Sequence, residues 1–168
     1  MKSVMLSLAF CAGLLFFSGC ASAKVSPMQK RHITTHQIEG SYENVYRATM
    51  TVIQDQDYVV KNTDLASGLI VASIDREAAK ASQFWQSVFV GTTLGIASSW
   101  HKGTIIELSA TLGKINDNLQ ELRMNLQETR YNKYGGKTDI KQILDAKIYQ
   151  EFANQVTVEV KRREALKR

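Results

Sequence analysis

Few side chains in this sequence have the types and spacing that support catalysis or metal binding. The histidines are His32, His36 and His101. The first two would face the same side of a predicted strand, but none of the three has the short-spaced carboxylate or cysteine partner that metal motifs use. Asp55 and Asp57 fall at the predicted end of a helix, where solvated carboxylates are common. The 168 residues contain no serine nucleophile elbow, phosphate-binding loop or zinc-protease motif. We therefore predict a protein that is not an enzyme and has no cofactor or metal site.

Cys20 is the residue whose chemistry the sequence predicts most directly, because of the segment before it. Lys2 gives a positive start, residues 4–17 are an almost unbroken apolar run, and Ser18 and Gly19 are small. This is the layout of a secretory signal peptide. The run is too short to cross a bilayer as a helix, which needs about 20 residues.

The sequence Phe17-Ser18-Gly19-Cys20 resembles the lipobox of bacterial lipoproteins. The resemblance implies that residues 1–19 are removed as a signal peptide and that the Cys20 thiol carries a diacylglycerol. Ala21, rather than Asp, implies export to the outer membrane, where we expect the domain to face the periplasm. The alternative is an ordinary signal peptide cleaved after Ala23.

Composition predicts one domain that is stabilised by packing alone. The chain has 21 Lys and Arg against 16 Asp and Glu, a formal charge of +5, and loss of Lys2 with the signal leaves about +4. Roughly 150 mature residues are enough for one hydrophobic core. Cys11 would leave with the signal and Cys20 would carry lipid, so no thiol would remain for a disulfide.

The small and polar residues at 20–30 predict a tether, which the lipobox resemblance implies is lipidated, and the hydrophobic pattern predicts a single α+β domain at 31–168. Apolar residues recur at helical spacing over 42–54 and from Ile140 to Val156, which predicts two helices. Either Asp139 or Asp145 caps the second helix; if Asp145 is the cap, residues 139–144 are strand or turn. The strands are predicted from β-branched and alternating residues at 31–38, 58–62, 68–75, 104–112 and 122–131, with a hairpin loop at 114–118. The order β-α-β-β-insertion-β-β-α predicts two layers. One is an antiparallel sheet of about five strands with one solvent-exposed face, and the other consists of two helices packed against the opposite face.

Residues 46–62, 64–72 and 148–152 are similar to a family of uncharacterised proteobacterial lipoproteins. The order of elements also resembles the helix-grip domains of lipoprotein subunits of the outer-membrane barrel assembly machinery. Both likenesses rest on core residues, turn residues and architecture, so they imply a fold rather than an activity.

An apolar insertion at about 82–101 is not required by the predicted sheet. Residues 84–100 carry no charge and include both tryptophans of the protein. A long loop between strands is usually functional or disordered, and this composition argues against disorder. One alternative is a third, buried helix. The other is an exposed element that contacts a membrane or a partner chain, with the candidate contact residues Phe84, Trp85, Val88, Phe89, Ile96 and Trp100.

Two functional hypotheses follow from the anchor and the insertion. The first is a non-enzymatic, lipid-anchored envelope protein that acts as a protein-binding or assembly accessory, with another envelope protein or a second copy as its partner. The second is an oligomer-forming or membrane-contacting lipoprotein whose insertion enters lipid. The basic tail at 161–168 contacts anionic lipid or cell-wall polymer in one alternative, but we favour a solvated helix end. We expect no nucleic-acid partner.

The substitution Cys20→Ser should abolish lipid attachment, because the thioether needs the cysteine sulfur. The measurement is incorporation of radiolabelled palmitate by the full-length chain in cells, with separation into detergent and aqueous phases. Cys11→Ser is the matched control, since it removes the thiol that should leave with the signal, and it should label like the wild type. Equal labelling of Cys20→Ser and the wild type would contradict the lipobox prediction.

Overall fold

A computed structural model describes residues 25–75 and 101–166, with the backbone alone at 101 and 102. Within these ranges the helices are α1 (Pro27–Thr34), α2 (Tyr42–Asp55) and α3 (Ala146–Leu166). The strands are β1 (Thr35–Glu39), β2 (Val59–Asp64), β3 (Leu69–Asp75), β4 (His101–Asn116), β5 (Leu119–Asn132) and β6 (Lys137–Ile143).

The six strands form one antiparallel sheet packed against helices, which confirms the predicted α+β class. The strand order is β1-β5-β4-β3-β2, and β6 also pairs with β5. β1 and β6 therefore share one edge of β5: β1 pairs with residues 119–123 and β6 with residues 126–131. This shared edge is the feature of the topology that shapes the site described below.

The core lies between one face of the sheet and helices α2 and α3. Along β5, Leu122, Met124 and Leu126 are buried while Glu121 and Arg123 are exposed, which confirms the predicted alternation. The two helices also pack against each other. The core cluster includes the buried residues Val45, Val52, Ile53, Ile70, Ala72, Ile74, Ile106, Leu108, Ala110, Leu112, Ile148, Phe152 and Val156.

The predicted strand at 31–38 is wrong over its first half, which is helix. α1 begins at Pro27, and β1 starts only at Thr35. Ser26 Oγ accepts a hydrogen bond from the Gln29 backbone N–H at 3.2 Å, and Gln29 Oε1 accepts one from the Ser26 N–H at 2.9 Å. This reciprocal capping box, with proline in the first turn, satisfies the free N–H groups at the helix start. The tether predicted for residues 20–30 therefore overlaps the first turn of α1.

The sheet has six strands rather than about five, because residues 137–143 form β6 before the last helix begins. Of the two proposed caps, the structure selects Asp145, whose Oδ1 accepts a hydrogen bond from the Lys147 N–H at 2.9 Å. Ile140 lies in β6, 54% exposed, and not on the helical stripe. The predicted loop at 114–118 is also shorter than expected, since β4 extends to Asn116 and β5 begins at Leu119.

The hydroxyl of Tyr149 connects β5 to the end of β6. This fully buried residue of α3 donates a hydrogen bond to the Ile143 carbonyl oxygen at 2.6 Å and accepts one from the Leu126 N–H at 3.2 Å. Burial raises the pKa of Tyr149 to about 12, and the Leu126 N–H only partly opposes this shift. The phenol therefore stays protonated and able to donate over the physiological pH range.

The substitution Tyr149→Phe should lower the free energy of unfolding by about 1–3 kcal/mol, because a buried N–H and a buried carbonyl lose their partner. The wild type should lose stability as pH rises from about 10 to about 12, since the unfolded tyrosine ionises near 10.0 and the folded one near 12. The variant should lose less over that window. The measurement is urea unfolding at pH 7 and at several pH values above 9.

Tyr134→Phe is the matched control, because the Tyr134 side chain is 83% exposed. It should change the free energy of unfolding by less than about 0.5 kcal/mol. Equal effects of the two substitutions would show that the Tyr149 hydroxyl does not hold β6 in place.

Candidate functional site

The predicted contact residues of the insertion and the predicted lipidation site lie outside the described residues. This applies to Cys20, Phe84, Trp85, Val88, Phe89, Ile96 and Trp100. The residues that flank the insertion are described: β3 ends at Asp75, and β4 begins at His101. These strands are neighbours, with Asp75 paired to Ile105, so the flanking residues lie at the same end of the sheet. We call this the insertion end.

The turn between β5 and β6 lies at the insertion end as well, since Asn132 pairs with His101. Asn132 Oδ1 accepts hydrogen bonds from the backbone N–H groups of Tyr134 and Gly136, both at 2.9 Å, so the turn is held by its own side chain. Lys133 Nζ lies 4.9 Å from the centre of the exposed Tyr134 ring. The turn therefore presents an aromatic ring to solvent.

A buried ion pair is a feature of this end that the sequence interpretation missed. The Arg130 Nε donates a hydrogen bond to Glu128 Oε1 at 2.8 Å, and the Glu128 side chain is 2% exposed. Glu128 follows Leu122, Met124 and Leu126 at strand spacing, so it lies on the apolar face. This spacing was the signal available in the sequence, because a carboxylate on the buried face of a strand needs a partner. Its visible role is structural, because the pair joins adjacent positions of one face.

The histidines do not form the arrangement that the sequence suggested. His32 lies in α1 and His36 in β1, so the prediction that they share one side of a strand is wrong. The half-buried His36 ring donates from Nε2 to the Ile33 carbonyl oxygen at 3.1 Å. Burial lowers the pKa of His36, the bond to Ile33 raises it, and nearby His32 lowers it. Within residues 25–75 and 101–166, no group of three His, Cys, Asp or Glu side chains is placed to hold a metal ion.

The aspartates of the 55–57 segment stand at a helix terminus, as predicted. Asp55 is the last residue of α2, and Asp57 follows with a φ of 63°. Asp is among the residue types that tolerate this left-handed conformation in a turn. Their positions therefore match those of residues that end a helix and begin a turn.

A cleft of about 540 Å³ lies where β1 and β6 meet along β5. One side of α1, residues 123–125 of β5 and Gln142 of β6 line it. We call it the junction cleft. No local sequence pattern predicted it, since its walls come from three distant parts of the chain.

Comparisons with known proteins add no family to this description. The sequence matches no protein-family model and no curated protein. Within the described part of the chain, no helix combines the length and apolarity needed to cross a membrane. The lipoprotein resemblance therefore stays a prediction.

Proposed function

We propose that this chain is a non-enzymatic, lipid-anchored envelope protein that binds another envelope protein through residues 82–101. The observation that carries the proposal is the composition of this segment together with its attachment. It is uncharged over residues 84–100, holds both tryptophans, and is flanked by two neighbouring strands of the packed sheet. Binding segments are commonly presented on rigid scaffolds of this kind.

The absence of charge from the segment favours a contact role over a solvated loop. The chain is 22% charged, so residues 84–100 would carry about four charges at the average rate. The centres of protein interfaces are depleted in charge and enriched in Trp and Phe. Membrane-surface helices, by contrast, usually carry Lys and Arg on their polar face. Composition therefore supports a protein partner before a lipid one.

The strands that flank the segment hold its two attachment points in place. β3 pairs with β4 in continuous register from Leu69–Thr111 to Asp75–Ile105, and Ile70, Ala72 and Ile74 are buried in the core. A diacylglycerol on Cys20 would add confinement to the membrane surface, which raises the effective concentration of any envelope partner. Modest contacts would then suffice for stable association.

A photo-crosslinking amino acid at Phe89, introduced into the full-length chain in intact cells, should yield an adduct with one defined envelope protein. The matched control is the same amino acid at Val158, a residue of α3 that is 67% exposed and belongs to the opposite, helical layer. It should yield no such adduct. The readout is mass spectrometry of the crosslinked band. Identical adducts from both positions, or none from Phe89, would contradict the proposal.

The alternative, insertion of the segment into lipid, is favoured by the apolar aromatic composition alone. Intrinsic fluorescence tests it cleanly, because both tryptophans of the chain lie in the segment. Insertion should shift the emission to the blue in liposomes and allow quenching by lipids with brominated acyl chains. Emission unchanged by brominated lipid would exclude this alternative and leave the protein-contact hypothesis standing.

A further inference from the structure

The junction cleft arises from a break in strand pairing along one edge of β5. β1 pairs with this edge up to Arg123, opposite Thr35, and β6 pairs with it from Leu126, opposite Ile143. Among the described strands, none pairs with Met124 or Asn125 on that edge. The break leaves room between two strand ends.

Helix α1 forms a wall of the cleft instead of filling the break. The helix contacts β1, β5 and α3, and its capping box fixes where it starts. The resulting volume of about 540 Å³ lies within the range of small-molecule sites.

The charged residues that line the cleft are all cationic. They are Lys30 and Arg31 of α1 and Arg123 of β5, and no Asp or Glu lines the cleft. The nearest carboxylate along β5 is Glu121, two residues away on the same face and not among the lining residues. Cations around one cleft repel each other, which is an unfavourable electrostatic energy, and a bound anion would offset this repulsion.

These three cations form no ion pair within the part of the chain that the structure describes, although several other cations do. Arg47 pairs with Glu43, Lys114 with Asp117, and Arg162 with Glu159. Lys30 is half-buried as a whole residue. The cleft thus holds positive charge that the described fold leaves uncompensated.

Neutral groups of the cleft complement this charge. Gln142 Nε2 donates a hydrogen bond to Asn125 Oδ1 at 2.7 Å, which orients both amides and leaves the Asn125 Nδ2 group as a donor. Pro27 and Met28 give the cleft an apolar side. The combination suits an anion that carries a carbon skeleton.

We propose that the junction cleft binds a phosphate ester. The guanidinium groups of Arg31 and Arg123 match the geometry of phosphate oxygens, Lys30 adds a third charge, and Pro27 and Met28 contact the carbon part. Two sources carry this chemistry, a phospholipid headgroup and a soluble phosphate ester. The headgroup lies within reach if Cys20 is lipidated as proposed, because the seven residues to Pro27 span at most about 25 Å.

The test uses the full chain as isolated from cells, in non-ionic detergent micelles, and follows the side-chain amide NMR signals of Asn125 and Gln142. One arm adds glycerol 3-phosphate, with glycerol as its phosphate-free control. The other arm adds phosphatidylglycerol to the micelles, with diacylglycerol as its control. We expect saturable shifts from at least one phosphate compound and none from either control. The arm that responds identifies the source.

The combined substitutions Lys30→Gln, Arg31→Gln and Arg123→Gln should weaken binding by about tenfold or more. The matched control is Lys61→Gln, Lys137→Gln and Lys147→Gln, which removes the same charge from exposed positions outside the cleft. It should change affinity by less than about twofold. If the triple cleft variant fails to fold, Arg123→Gln alone, at an exposed position, should still weaken binding measurably.

Absence of shifts in both phosphate arms would overturn the proposal, and so would equal weakening by the two sets of substitutions, since that would indicate non-specific attraction. The soluble arm requires neither the Cys20 lipid nor a partner protein. Its result is therefore independent of the proposed function.

Discussion

The structure depends on the burial of one face of strands β3, β4 and β5. Each strand contributes apolar side chains at every second position; helices α2 and α3 pack over them, and Ile33 of α1 also packs against this core. Removing this apolar surface from water is the main favourable term for folding, and with no disulfide expected the domain has no covalent substitute. The register of the long β4–β5 hairpin sets the alternation that places these residues together, because a slip of one position would turn every side chain to the other face.

The same burial explains why the edge of β5 is shared by two short strands. The chain leaves β6 at Ile143 and enters α3 at Ala146, so it must turn beneath the sheet within a few residues. Tyr149 closes the β6 pairing, because its hydroxyl bridges the Leu126 N–H and the Ile143 carbonyl oxygen of the last register pair. β1 occupies the rest of the edge, and the cleft lies between the two. A packing requirement of the core thus produces a polar cleft at the sheet edge.

The junction cleft and the insertion end lie at different positions along β5. Arg123 at the cleft and Asn132 at the insertion end are nine residues apart on β5, about 30 Å at the rise of a strand. The described residues that line the cleft are therefore different from those that flank the insertion.

The sequence by itself determined what depends on local periodicity and spacing: the amphipathic helices α2 and α3, the alternation of β5, the α+β class and the lipobox-like prediction for Cys20. The sequence did not settle α1, because the β-branched run at 33–35 indicates a strand although the Ser26 capping box starts a helix. It did not settle β6 either, because the apolar residues at 140–143 fit the pattern of a helix as well as that of a strand. Tertiary structure alone decided the pairing of Glu128 with Arg130 in the fold and the existence of the junction cleft. Arg31, Arg123 and Gln142 meet only because distant strands pair in one register, and no local pattern encodes that pairing.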